Sequence, residues 1–165
     1  MSIKVMLQQM IDYHVTATRK VWDVIEPLGD ELFVREHDYS IGSIRNHMVH
    51  LISVDAAWLN GLRGNPREAF RWIQGAEYAT IATARARAEI GLDDLHQQVS
   101  AWDEAALLAQ PATLAESRWQ VLVHLTTHGV DHRSQVLPLV AAAGGHTFPH
   151  DFIMHVWGWP APPQH

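Results

Sequence analysis

The chain has 165 residues, 47% of them apolar and 18% charged, with no cysteine and a formal charge of −6 when its 12 histidines are neutral. This length accommodates one packed core and is short for two, the composition excludes a disordered chain, and no run approaches the roughly 20 consecutive apolar residues of a membrane span. The acidic balance argues against a nucleic-acid surface, and the lack of cysteine excludes disulfides and thiolate ligands, so a bound metal must be held by nitrogen and oxygen.

The opening residues, MSIKVMLQQMIDYHV, interrupt their apolar side chains at helical spacing and lack the continuous apolar core of a secretory leader, so a cytoplasmic location is expected. Met6, Met10, Tyr13, Ala17, Val21, Val24 and Leu28 recur every three or four residues and predict a first helix over about Ile3 to Glu26, capped by Ser2 and ended by Pro27 and Gly29. A polar connector through His37 and Asp38 follows. A second helix is expected from about Ser40 or Ile41 to Leu62, with Ile44, Met48, Leu51, Asp55, Trp58, Leu59 and Leu62 on one side. The next stretch, GLRGNPREAFRWIQGAEYA, has turn chemistry and the length of a crossing loop, carrying Phe70 and Trp72 over the bundle end. The third helix is predicted from about Thr80 to Leu108, with Ala88, Leu92, Leu95, Val99, Trp102 and Ala106 as its seam. Pro111 stops it. A fourth helix is expected from near Leu114, with Val121, Leu125, His128, His132, Val136 and Leu139 on one stripe and a kink from Pro138 near residue 134. From about residue 144 a partly irregular tail should form one short turn of helix around Ile153, fold two tryptophans back on the domain, and run into a Pro-rich end. These elements predict an all-α four-helix bundle over residues 1–165, with a long crossover between helices two and three.

His124, His128 and His132 stand one helical turn apart in HLTTHGVDHRSQV, and His50 lies in a second amphipathic segment, NHMVHLISVDAAWL. Residues four apart share a helix face, so two imidazoles can aim at one point and a histidine from a facing helix can complete a divalent-metal tripod. The stripe position strengthens this reading, because a buried polar group without a partner costs about 1–3 kcal/mol and metal ligation compensates it. Spacing leaves two choices open. His124 with His128 is as well placed as His128 with His132, and His47 competes with His50; His124 and His132 together are excluded by their separation of about 12 Å.

Other chemistries fit poorly. HGVDH has Gly129 where a zinc-peptidase HExxH motif has its glutamate, and Asp93 with His96 is the sole weak echo of a di-iron carboxylate pattern. No serine sits in a GxSxG elbow, and no glycine-rich phosphate loop is present. Arg85 and Arg87 read as a solvated helix face.

The order of a histidine on helix two, a long crossover and THGVDHRSQV on helix four resembles the DinB/YfiT-like metalloenzyme family, most strongly at SIRNHMVHL and HLTTHGVDHRSQV. The resemblance spans nearly the whole chain. It implies that His50, His128 and His132 are the metal ligands, and that Arg133 and Gln135 match flanking positions, with pocket and packing roles equally open. His47 is then expected on the helix surface, with a proton-transfer or fourth-ligand role as the alternative, and His124 in packing or hydrogen-bonded structure. Trp58, two turns after His50, is expected in the core, with a place in the pocket wall as the alternative.

A three-histidine site suits zinc or nickel first, with iron or manganese as further options. The resemblance adds a low-molecular-weight thiol as a possible cosubstrate. The expectation is a metal-dependent enzyme acting on a small molecule, as a hydrolase or a small-thiol-dependent transferase. The alternative is a non-catalytic metal- or small-molecule-binding bundle serving as a stress-linked sensor or scaffold. Neither nucleic acid nor membrane is expected as a partner, and the seven tryptophans suggest a homodimer.

Overall fold

The computed structural model describes residues 2–159, so the expected Pro-rich end lies outside the described residues. Among the described residues there is no strand, and seven α-helices follow in order: α1 Ile3–Ile25, α2 Asp30–Val34, α3 Ile44–Leu62, α4 Ile81–Ala101, α5 Glu104–Leu108, α6 Arg118–Ala142 and α7 Phe152–Val156. The long helices α1, α3, α4 and α6 form the bundle, with α1 and α3 diagonal to each other and each packed against both α4 and α6. No helix among the described residues is long and apolar enough to cross a membrane.

Start signals define the helices closely. The Ser2 hydroxyl accepts from the Val5 N–H, and Ser43 accepts from Asn46 N–H at 3.2 Å. The latter moves the start of α3 from the expected residue 40 or 41 to Ile44, because Ser40 and Gly42 have positive φ and stand outside any helix. The expected third helix is two helices. Trp102 turns extended, and the Asp103 carboxylate accepts from Ala106 N–H at 2.8 Å to begin α5. Likewise α6 starts at Arg118 rather than near Leu114, where Ser117 and Gln120 form a reciprocal capping box. The connector after α1 contains α2, which buries Phe33 completely. Pro138 lies inside α6, which continues through it.

The buried face of α1 keeps Tyr13, Ala17 and Val21 of the expected stripe and extends beyond it. Met6 is half-exposed, whereas Leu7, Ile11, Val15 and Trp22 are buried, because α1 faces two neighbours at once and buries a broad arc. In the tail, Trp159 stacks on Tyr13 at 6.4 Å while Trp157 is 65% exposed, so one tryptophan rather than two packs back.

The core divides into two apolar clusters. Leu7, Leu62, Leu95 and Leu122 belong to one, and Trp22, Ile44, Ala84 and Val140 to the other. The first cluster takes the N-terminal parts of α1 and α6 and the C-terminal parts of α3 and α4. Helices α1 and α6 are therefore parallel, and so are α3 and α4, which is why residues 63–80 must cross the length of the bundle.

Between the clusters lies a polar belt. His14, Thr18, Asp55, Thr126, His132 and Arg133 are all buried there, at mid-length of their helices. The His14 Nε2 is 2.9 Å from Asp55 Oδ2, and Arg133 Nη1 is 3.4 Å from His14 Nδ1 and 3.1 Å from Thr18 Oγ1. Arginine can only donate and a carboxylate only accept, so His14 must accept at Nδ1 and donate at Nε2. The neutral imidazole thus bridges a buried cation to a buried anion across the bundle diagonal. The guanidinium also lies 5.2 Å from the Tyr13 ring, on its face. Burial pushes the Arg133 pKa below its ordinary value, and the neighbouring Tyr13 and Asp55 oppose that shift.

Removing one member of a buried charge pair strands the other, so Asp55→Ala should lower the unfolding free energy by about 3–5 kcal/mol in urea titration. Asp94→Ala, which breaks the exposed pair with Arg63, should cost about 1 kcal/mol or less in the same assay.

Candidate metal site

Helices α3 and α6 run antiparallel, and their mid-lengths bring His50 against His128 and His132. Ring centroids are 4.6 Å apart for His50 and His132, 5.3 Å for His50 and His128, and 4.5 Å for His128 and His132. One nitrogen from each ring lies within 4.8 Å of the others, and among the described residues no other three histidines or carboxylates form such a group. His132 is buried and the other two are half-buried. Burial first, then neighbouring imidazoles, lowers the pKa of His128 and of His132 to about 4, and burial lowers that of His50. All three rings are therefore neutral at pH 7 and offer lone pairs without losing a proton. Three neutral nitrogen donors with no side-chain cation between them, and a buried His128 Nδ1 that has no hydrogen-bond partner, fit a divalent ion.

Residues flanking the triad depart from several expectations. His47 is fully buried rather than on the surface, because its position on α3 faces α6; its Nδ1 lies 3.3 Å from Nδ1 of His132. His124 is exposed rather than packed into structure, and its ring stands edge-on to Trp58 at 5.4 Å between centroids. Arg133 belongs to the polar belt and packs against α1. Gln135 lies at the bundle surface, where its amide donates to Asp131 at 3.0 Å and accepts from the Ser40 hydroxyl. Asp93 and His96 do not meet in a metal site: Asp93 pairs with Arg19, and His96 with Asp12 at 2.9 Å.

Gly129 has a positive reason to be glycine. A Cβ there would come within 3.0 Å of both the His14 ring and Arg133 Nη1, so the missing side chain makes room for the buried bridge. The residue that separates this motif from HExxH thus serves the belt directly beneath the triad.

Two cavities reach the triad. One of about 530 Å³ is walled by His50, His128, Trp58, Phe70, Trp72 and Leu114. Trp58 therefore lines a cavity with one side while packing against the core with the other. The other, about 500 Å³, lies beyond Trp72 and is bounded by Arg45, Asn46, His50 and the crossover residues Ile73 and Gln74. The crossover is tied down where Ile73 N–H donates to the buried Ser53 hydroxyl at 2.9 Å.

The DinB family model matches residues 1–159, and the chain belongs to the DinB family. No curated protein matches it.

The lowered pKa values of His128 and His132 set the acid response of the metal-free protein. The unfolded chain protonates these rings near the ordinary value of about 6.5 and the folded chain only near 4, so unfolding takes up protons between the two. Stability contributed above pH 6.5 should be lost progressively as the pH falls towards 4. The urea midpoint of metal-free protein should therefore drop across that window, and less steeply in His132→Ala; an unchanged midpoint would contradict the assigned burial.

Proposed function

We propose that this member of the DinB family is a metal-dependent enzyme acting on a small molecule, with His50, His128 and His132 as the ligands of one divalent ion. The observation that carries the reading is that the triad opens into cavities instead of being sealed by a fourth side chain. A structural ion is normally enclosed by four protein ligands, whereas a catalytic one keeps a position for a reactant. Zinc or nickel is the first choice, with iron or manganese as further options. Such an ion supplies Lewis acidity, which makes a water or a thiol nucleophilic near neutral pH.

The chain's own residues do the rest. His47 is placed to orient His132: were the His132 ring to donate from Nδ1 to His47 Nδ1, its lone pair would lie on Nε2, free for a metal. Trp58, Phe70 and Leu114 offer an apolar surface beside His50 and His128 and exclude water from part of the reacting space. Since no cysteine is present, a thiol nucleophile must come from solution. Two cavities that meet at His50 suit two reactants, which favours transfer of a group to a low-molecular-weight thiol over hydrolysis.

Native, untagged protein should contain one divalent ion per chain by elemental analysis. His128→Ala should lose that ion while keeping its helical circular dichroism. Absence of stoichiometric metal, together with no binding of added zinc, nickel, iron or manganese, would sink the proposal. His47→Phe should weaken zinc binding about 10- to 100-fold in a competition titration, and His47→Gln should restore part of it. Assay of metal-loaded protein with small thiols plus electrophilic acceptors, alongside esters and amides, separates transfer from hydrolysis.

A further inference from the structure

The smaller cavity is lined by a single charged side chain, Arg45. That guanidinium is mostly buried, its side chain 19% exposed, and it forms no hydrogen bond among the described residues. Its nearest acid, Glu36, approaches only to 3.9 Å and is already engaged by the Asn46 amide at 3.2 Å. Of its nitrogens only Nε is sealed from solvent without a partner, so the guanidinium keeps donors free for an anion in the cavity. Nothing acidic lines the cavity to repel such an anion, although the chain as a whole carries −6.

The site is built rather than incidental. The crossover descends over Arg45 and Asn46 at Gly75, where a Cβ would lie 2.6 Å from Asn46 Oδ1 and 3.7 Å from Arg45 Nε. A side chain at position 75 would have to push the amide aside. The Ser53 hydrogen bond to Ile73 N–H holds this roof in place. About a turn and a half along α3 from Arg45, His50 lines the same cavity, so a ligand seated on the guanidinium extends towards the triad.

We propose that Arg45 anchors the carboxylate of a small organic acid, and that this acid is one of the two reactants, presented to the metal ligands from the polar side of Trp72. The apolar co-reactant takes the cavity walled by Trp58 and Phe70. The inference rests on the two-reactant reading above. The carboxylate can belong to the thiol or to the acceptor; the anchoring chemistry is the same.

Calorimetric titration of metal-free protein with 3-mercaptopropionate and 3-phenylpropionate, each beside its amide, tests the subsite independently of the metal. Each acid should bind at least about tenfold more tightly than its amide, the advantage expected of a charge-assisted contact. Arg45→Gln should abolish that preference while leaving amide binding unchanged. Equal binding of acid and amide, or a preference that survives in Arg45→Gln, would overturn the proposal. If Arg45→Gln does not fold, a crystal structure of wild-type protein with 3-mercaptopropionate decides: a carboxylate on the Arg45 guanidinium supports the subsite, and one elsewhere refutes it. Repeating the titrations with zinc identifies the source, since a thiol seated from this side gains affinity from the ion and the phenyl acid does not. Failure to bind zinc counts against the metal reading alone and leaves the Arg45 result intact.

Discussion

A neutral imidazole bridging a buried guanidinium to a buried carboxylate is the constraint around which the bundle is arranged. Arg133 and Asp55 sit on neighbouring helices at mid-length, where water cannot solvate them, and His14 on α1 joins them. Each would be prohibitively costly alone in an apolar interior. Their presence divides the core into two apolar halves and gives α1, α3 and α6 a polar waist, against which α4 packs apolar residues alone. Glycine at 129 follows from the same constraint, since the bridge occupies the volume that any side chain there would need.

The histidine triad is the outer edge of that belt. His128 and His132 are one residue before Gly129 and Arg133 respectively, about 100° around α6, so one face of the helix serves the bridge and the adjacent face the triad. The two faces are mechanically coupled through a single rigid helix. Apolar clusters above and below keep α3 and α6 in register, and this register brings His50 opposite the gap between the two α6 histidines. Burial of the rings keeps them neutral, and neutrality leaves them available as lone-pair donors instead of mutually repelling cations.

The crossover supplies the walls beside the triad. Because α3 and α4 are parallel, the segment between them has to travel the length of the bundle, and it passes over the triad on the way. It contributes Phe70 and Trp72 to one side and Ile73, Gln74 and Gly75 to the other, so a topological necessity furnishes the walls of both cavities. Loops carry this kind of variation more readily than the helices that support them.

Helix identity, the heptad-like seams and the pairing of His128 with His132 were legible in the chain because they are periodicities within one segment, each expressed by local spacing. The choice of His50 over His47 needed the family resemblance, since both lie on inward-facing arcs of α3. Boundaries were less legible: Trp102 and Asp103 interrupt the third helix through a side-chain cap that competes with continuation, a near-equal local contest that periodicity does not register. Asp55 stands among apolar side chains on its stripe, but its partner His14 is 41 residues away, and the resemblance places Arg133 only as a position flanking the triad. Likewise, Arg45 falls within SIRNHMVHL, but nothing in its spacing assigns it a role. Its meaning comes from a roof placed over it by residues 73–75 and from an acid that approaches it only to 3.9 Å. Spacing along a helix follows from backbone geometry and is written in the order of residues; which side chains meet across the bundle, and which buried charge remains unanswered, depends on how helices far apart in the chain share one interior.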